Sequence, residues 1–386
     1  MNGDKMDGTS EKRDLNCLYI GHILPDSNNI YEKSLIRNLK QMVDNLDVVS
    51  ESFIQTEKTL YFDDIKIYAL KGTKNRVINE AVKFFKLFSY ISKWYKKNKK
   101  SKKAILYLNM PLEVSLVCWF FKNILNVKTV NLIIDTALGN IHINSIGTWY
   151  ASMRYRLSES LSKTMSANMA LNSRVFKYLK LDKKPCLHTK IGHNLTEMNY
   201  RHHETKNEKK VIVYTGTFID YDGTKELMEA MALLNPNEYE LLMYGSGPYK
   251  DLVINCEERC KNVRFMGYLP NNEMKRVMEE ADLLINPRIN NKYTDVFGFP
   301  SKMIEYLLSG TPVLTTRFAA MPKEYEQFVY IIENQTGLGI ANAIKEVFNK
   351  PESERAAQCK EAYEYIYHNN KYEDIVSEMV SFIYEI

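Results

Sequence analysis

Arg288, Ser301, Lys302 and Glu305 fall close together in the stretch ADLLINPRINNKYTDVFGFPSKMIEYLLSGTPVLTT. Arg288 comes directly off the end of an apolar, strand-like run. Lys302 lies in the first turn of a helix opened by Pro300 and Ser301; proline is favoured at a first helical position and serine can cap one. Free N–H groups and the positive dipole end make such a helix start an anion site. Two cations beside it suit a diphosphate. At about 100° per residue, Met303, Ile304, Leu307 and Leu308 share one face. Ser301 and Glu305, four apart, lie along its edge. A carboxylate there can accept both hydroxyls of a ribose, and an ordinary surface glutamate fits the same spacing. Gly310 reads as the helix stop.

Other strand ends carry glycine. KVIVYTGTFIDYDGTKELMEA ends a strand at Gly216 and Thr217, with Gly223 before a helix opened by Thr224. LLMYGSGPYKDL ends one at Gly245, and VRFMGYLP ends one at Gly267, followed by Tyr268 and Leu269. Backbone can approach a phosphate where no Cβ intervenes, and exposed N–H and C=O groups can read a nucleobase edge. Tight-turn geometry alone also asks for glycine at these places. Neither G-x-G-x-x-G nor a Walker lysine motif is present, which argues against dinucleotide and P-loop sites.

These residues need a scaffold, and strand-like runs alternate with helix-like segments along the whole chain. LNCLYIGHIL, AILYLN, TVNLIID and ANMALNS read as buried strands, and SLIRNLKQMVDNL and RYRLSESLSKTM as helices. After the polar stretch RHHETKNEKK the pattern resumes. Alternation implies parallel sheets with helical crossovers, here an α/β chain of two doubly wound domains. The expected boundaries are a disordered 1–14, an N-terminal domain 15–203, a second domain 204–368, and a C-terminal helix 369–386 packing back on the first domain. Ligands of such sheets bind beyond the carboxyl ends of the strands, so the active site is expected in the cleft between domains.

The 386 residues exceed one compact core. The longest apolar run, VSLVCWFF, is far shorter than the roughly 18–20 residues that span a bilayer. The polar opening MNGDKMDGTSEKRDL has no apolar signal core. Six scattered cysteines, with only Cys256 and Cys260 close, form no zinc pattern and read as reduced thiols. Residues 1–200 hold 31 Lys+Arg and 18 Asp+Glu, a balance of +13, against 21 and 29, or −8, in residues 201–386. The first half is therefore suited to an anionic surface. Its densest cluster, WYKKNKKSKK, follows VINEAVKFFKLFSYISKWY. That segment fits an interfacial membrane helix and equally a core-packed helix ending in a solvated basic loop. No helix-turn-helix, zinc-finger or RNA-recognition signature supports nucleic acid as a partner.

The ordered series YTGTFIDYDGTKELMEA, YGSGPYKDL, VRFMGYLP, ADLLINPR and FPSKMIEYLLSGTPVL resembles the donor domain of family 4 glycosyltransferases with the GT-B fold. FPSK-x-x-EY resembles members that build capsular or exopolysaccharide glycans. The first half is similar to the acceptor domain more loosely, through YIGHILPD, LIIDTALG, ANMALNSRVFKYL and KIGHN. The resemblance implies a retaining, metal-independent transfer from a nucleotide-sugar, UDP- in preference to GDP-. The acceptor it implies is a growing surface glycan, lipid-linked, at the cytoplasmic membrane face. No cofactor is implied beyond the nucleotide-sugar itself.

It also assigns residues. Arg288, Lys302 and Asp135 would serve the chemistry. Gly21, Gly216, Thr217, Gly245, Gly267, Tyr268, Leu269, Ser301, Met303 and Glu305 would bind the donor, Glu305 holding the ribose and Gly21 approaching the diphosphate. Two departures stand out. Phe297 occupies the place of the first glutamate of the family's Glu-x7-Glu motif. The family's Arg and Lys after the first donor-domain strand fall near Thr217 or Phe218 and on Asp222. A catalytically inert partner in a glycan-assembly complex, or a nucleotide-sugar epimerase, are the alternatives these departures leave open.

Overall fold

A computed structural model describes residues 12–25, 29–54, 58–73, 76–134, 146–201, 208–291, 296 and 299–386. The chain forms two units, Met1–Asn194 with Tyr372–Ile386, and Leu195–Lys371.

The first unit is built on β1 (Arg13–Gly21), β2 (Val43–Ile54), β3 (Lys58–Phe62), β4 (Ile65–Lys71), β5 (Lys103–Leu108), β6 (Lys128–Ile133), β7 (Ala167–Ala170) and β8 (Cys186–His188). They lie in the order β3-β4-β2-β1-β5-β6-β7-β8. All neighbours run parallel except the β3–β4 hairpin. Successive side chains of a strand face opposite ways, and β1 shows it. Leu15, Cys17 and Tyr19 pack under α1 (Ile30–Met42) and α12 (Tyr372–Glu385). Leu18 and Ile20 pack under α2 (Arg76–Lys97) and α3 (Leu112–Leu125). α4 (Ile146–Ser162) packs beside α3, and α5 (Arg174–Tyr178) precedes β8.

The second unit has β9 (Lys210–Thr217), β10 (Tyr239–Ser246), β11 (Val263–Gly267), β12 (Leu283–Asn286), β13 (Val313–Thr316) and β14 (Tyr330–Ile332). Their order is β11-β10-β9-β12-β13-β14, and every pair is parallel. The strand sequence reverses at β9, so the crevice beyond β9 and β12 is the switch point where doubly wound sheets bind ligands. The helices are α6 (Thr224–Ala232), α7 (Lys250–Arg259), α8 (Asn271–Glu279), α9 (Lys302–Leu307), α10 (Gly337–Asn349) and α11 (Glu352–Asn369).

Several expectations change here. Residues 1–11 lie outside the described residues, but Arg13 and Asp14 already belong to β1 rather than to a disordered tail. The helix expected through VDNL stops at Met42, and Val43–Ile54 is a strand paired with β1. Leu195–Arg201 belongs to the second unit, not the first. The N–H of Asn199 donates to Tyr363 Oη at 3.1 Å, and Tyr200 Oη donates to the Ala356 carbonyl at 3.3 Å. The first unit resumes at Tyr372, whose N–H donates to the His193 carbonyl.

Candidate active site

β9 and β10 run in register, with Gly216 opposite Gly245. A Cβ on Gly245 (φ +138°) would lie 1.8 Å from the Gly216 carbonyl oxygen. Gly245, assigned to the donor from sequence, therefore has a packing reason of its own: only a bare Cα lets the two strand ends approach. Gly223 (φ +72°) is held similarly, since a Cβ there would meet the Pro287 carbonyl oxygen.

Gly216 opens the space that Lys302 uses. Lys302 Nζ donates to the Thr215 carbonyl at 3.0 Å and lies 4.2 Å from the centre of the Tyr214 ring. A Cβ on Gly216 would come within 3.2 Å of that Nζ. Burial lowers the Lys302 ammonium to about 8, Asp222 opposing that shift and Arg288 adding to it. Arg288, 7% exposed, is the second cation. Its guanidinium lies over the Tyr221 ring at 5.5 Å, and its Nε has no hydrogen-bond partner among the described residues. A buried cation with an unfilled donor favours an incoming anion.

Asp222, where the resemblance expects a lysine, carries the opposite charge. Desolvation raises its carboxyl, while Lys302, Arg288 and the Tyr214 hydroxyl work against that. The switch point of this sheet thus gathers two cations and one carboxylate beside the exposed end of β9. Two tyrosines that the sequence reading passed over hold it in place. Tyr306 Oη accepts the Thr215 N–H at 3.0 Å and lies 3.1 Å from Thr215 Oγ1. Tyr214 Oη donates to the Thr217 carbonyl at 2.9 Å. Below them, Asn286 Nδ2 donates to Thr315 Oγ1 at 2.9 Å.

The helix start differs from expectation. α9 is only six residues long, and Ser301 is itself helical with no side-chain capping bond. The N–H groups of Met303 and Ile304 are already bonded to the carbonyls of Pro300 and Ser301. Little remains of a backbone anion site, so positive charge here rests on the Lys302 and Arg288 side chains. Met303, assigned to the donor, is fully buried, and its sulfur receives only a weak contact from Asn286. The buried face of α9 is Met303, Ile304, Tyr306 and Leu307, Tyr306 taking the place expected for Leu308. Glu305 is exposed, and makes no hydrogen bond or ion pair among the described residues. Desolvation by nearby protein still raises its carboxyl.

Gly267 (φ +74°) ends β11 with open space around it, and Tyr268 beside it is exposed and Leu269 half-buried. β11 lies two strands from β9, with β10 between them, roughly 10 Å at ordinary strand spacing. Asp135 and Phe297 lie outside the described residues.

In the first unit, Gly21 ends β1 against a carboxylate. A Cβ there would fall 2.3 Å from Glu32 Oε2. Glu32 is buried and accepts from Tyr19 Oη (3.0 Å), the His22 N–H (3.1 Å) and Asn29 Nδ2 (2.6 Å). The N–H that follows Gly21 is therefore already engaged by an anion, which weighs against a diphosphate at that point. Glu51, also buried, is raised to about 8 by desolvation and lies 3.5 Å from His22 Nε2.

Fold and site define a class: two Rossmann-like α/β units of the GT-B type. The chain superposes on sucrose-phosphate synthase from Thermosynechococcus elongatus with a TM-score of 0.74 at 16% identity, covering 96% of this chain and 98% of that one. It superposes on Anabaena HepE in complex with UDP with a TM-score of 0.70 at 12% identity, covering 96% and 100%. These likenesses establish the fold. Residues 209–350, most of the second unit, match the family described as Glycosyl transferases group 1.

Two relatives are similar in sequence. The amylovoran biosynthesis glycosyltransferase AmsK of Erwinia amylovora is 24% identical over 148 residues, 36% of each chain. The putative colanic acid biosynthesis glycosyltransferase WcaL of Escherichia coli is 21% identical over 216 residues, 53% of each. The matched part spans about half or less of these relatives' length.

Proposed function

We propose that this chain is a glycosyltransferase of polysaccharide biosynthesis. It moves a sugar from a nucleotide-sugar, UDP- in preference to GDP-, to a growing surface glycan. The acceptor is lipid-linked and presented at the cytoplasmic face of the membrane. Transfer proceeds with retention and without a metal, as the family resemblance implies. The carrying observation is the pairing of Lys302 and Arg288 at the switch point of β9 and β12, with Arg288 Nε buried and unfilled. HepE, a structural neighbour, has been seen with UDP and with UDP-glucose, and both sequence relatives are named for exopolysaccharide synthesis.

As the sugar–phosphate bond breaks, the nucleoside diphosphate gains negative charge on its leaving oxygen. Lys302 and Arg288 are fixed before the reaction and stabilise that charge, the usual main term in electrostatic catalysis. No protein nucleophile is assigned; the departing phosphate oxygen takes the acceptor proton. Glu305 accepts the ribose hydroxyls, and the turn at Gly267, Tyr268 and Leu269 receives the base.

The test is a nucleotide screen by thermal shift, then nucleotide-sugars for slow hydrolysis. A ligand that binds only the folded state raises the melting temperature. A UDP-dependent rise that Lys302→Ala removes supports the assignment, and unchanged turnover in that variant overturns it. Asp222 favours a second reading, an inert partner, because its carboxylate offsets charge that a diphosphate needs. Absence of any UDP or GDP binding would decide for it.

A further inference from the structure

One face of the first unit is apolar where it meets water. α3 packs against both α2 and α4, and together they cover one side of the sheet, burying Leu87, Ile91, Trp94, Val117 and Phe121. The segment read from sequence as either an interfacial or a core-packed helix is thus core-packed on its inner side. The outer side is unusual. On α4, Trp149, Met153 and Leu157 follow one another at four-residue spacing and are 55%, 45% and 47% exposed. An amphipathic surface helix places polar residues there. Phe85 on α2 is 70% exposed and Trp119 on α3 is 41% exposed. Large apolar side chains exposed on three neighbouring, packed helices point to an interaction site.

The charges around it are predominantly positive. Arg154 ties the three helices together, bonding Glu80 of α2 at 2.6 Å and Glu113 of α3 at 2.8 Å. Those carboxylates are neutralised within the layer. Desolvation raises the Glu159 carboxyl, with Lys163 and Arg156 working against that shift. Residues 76–163 hold 15 Lys+Arg against 4 Asp+Glu, a balance of +11. Lys93, Lys96, Lys97, Lys99 and Lys100 are all exposed at and beyond the end of α2, and Arg156 on α4 and Lys163 just past its end are exposed.

We infer that the outer face of α2, α3 and α4 docks on an anionic lipid bilayer. Trp149, Met153, Leu157, Phe85 and Trp119 enter the interfacial region, and the lysines meet lipid phosphates. Tryptophan suits that depth because one end of its ring is apolar and the other can donate a hydrogen bond. A protein partner would need its own matching acidic rim, whereas an anionic bilayer supplies both an apolar layer and a surface of phosphates. Among the described residues no helix is long and apolar enough to cross a membrane, so the contact is with the surface. This inference deepens the lipid-linked acceptor proposed above. Vesicle binding and nucleotide binding are measured separately, so the two can fail independently.

The experiment is cosedimentation of the full chain with vesicles of phosphatidylcholine, with and without phosphatidylglycerol. Wild type binds only the anionic vesicles, and binding falls when salt rises from about 0.1 M to about 1 M and the Debye length shrinks from about 10 to about 3 Å. Trp149→Ser with Met153→Ser and Leu157→Ser lowers partitioning by at least about tenfold. Lys96→Glu with Lys97→Glu, Lys99→Glu and Lys100→Glu lowers it by about fivefold or more per residue. The charge set touches no apolar residue, so it keeps the test valid if the apolar set does not fold. Both sets retain the UDP-induced thermal shift of wild type. Failure of wild type to bind anionic vesicles overturns the inference, as does binding unchanged in both sets. A concentration-dependent dimer that the apolar set abolishes also overturns it, by making the face a contact between copies of this chain.

Discussion

Lys302 Nζ donates to the carbonyl oxygen of Thr215 at 3.0 Å, across 87 residues of sequence. This bond fixes an ammonium at the mouth of β9 before any ligand arrives, with Gly216 leaving the room it needs. Replacing Lys302 by Met keeps the stem over Tyr214 and removes the charge. A hydrogen bond to a charged group is worth about 1.5–3 kcal/mol, so the Kd for UDP should rise by roughly ten- to a hundredfold. Calorimetric titration measures this, and an unchanged Kd refutes the role.

The same lysine gives a pH signature. Its ordinary value is 10.5 and burial lowers it to about 8. Diphosphate binding needs the protonated form, so affinity for UDP should be flat from about pH 7 to 8 and weaken about tenfold per unit above that. Stability without nucleotide responds in the opposite sense. Between about 8 and 10.5 the unfolded chain holds a proton the folded chain has lost, so the contribution of Lys302 to stability rises with pH in that window. Lys302→Arg should flatten both profiles, because a guanidinium does not titrate there. A binding profile unchanged in that variant assigns the titration elsewhere.

Tyr306→Phe removes the acceptor of the Thr215 N–H and leaves that buried donor unsatisfied. The expected cost is about 1–3 kcal/mol. Denaturant unfolding followed in parallel with UDP affinity checks it. Both should fall, since the strand end that positions Lys302 is the one loosened. A stability equal to wild type would mean that another group takes the N–H.

Gly245 and Gly267 should behave unalike although both were read as donor-binding glycines. Gly245→Ala forces a Cβ against the Gly216 carbonyl oxygen and should prevent the strand ends from closing, seen as a large loss of soluble folded protein. Gly267→Ala meets open space and costs only its left-handed backbone, about 1–2 kcal/mol. Its melting temperature should drop modestly. Equal behaviour of the two variants refutes the packing account of Gly245.

Arg154→Ala should loosen the three-helix layer. It takes from Glu80 and Glu113, whose side chains are 14% and 13% exposed, the guanidinium that bridges them. Breaking such a pair costs about 3–5 kcal/mol when fully buried, and somewhat less here. Thermal unfolding tests it, and Arg154→Lys should restore only part, since one ammonium replaces a two-armed fork.

Much of the scaffold could be read from sequence because it is local. The apolar runs that became β5, β6, β9, β10 and β12 are bounded by their own turn residues, and alternation with helices gives parallel sheets. Arg288 and Lys302 were legible for the same reason, one leaving a strand and the other entering a helix. What escaped depends on distant partners. The helix face read from sequence omits Tyr306, and its part shows only where its hydroxyl meets Thr215, 91 residues earlier. Asp222 stands out in the sequence only as a departure from the family's lysine, and its electrostatic meaning comes from two cations, Arg288 just after β12 and Lys302 of α9. The β3–β4 hairpin was missed because its strands are short and half exposed. The stripe Trp149, Met153 and Leu157 has the period of a buried helix face, and only the fold turns it outward.

The first unit takes α12 from sequence that follows the second. Ile375, Val376, Met379, Val380 and Ile383 lie in its core with Leu35 and Leu39 of α1. During synthesis, then, the domain that leaves the ribosome first cannot finish folding first. Its sheet must wait with one flank uncovered until residues 372–386 emerge, whereas Leu195–Lys371 is complete in one continuous piece. The order of translation and the order of folding are reversed in this chain, and a fragment ending at Asn194 should expose that flank and aggregate.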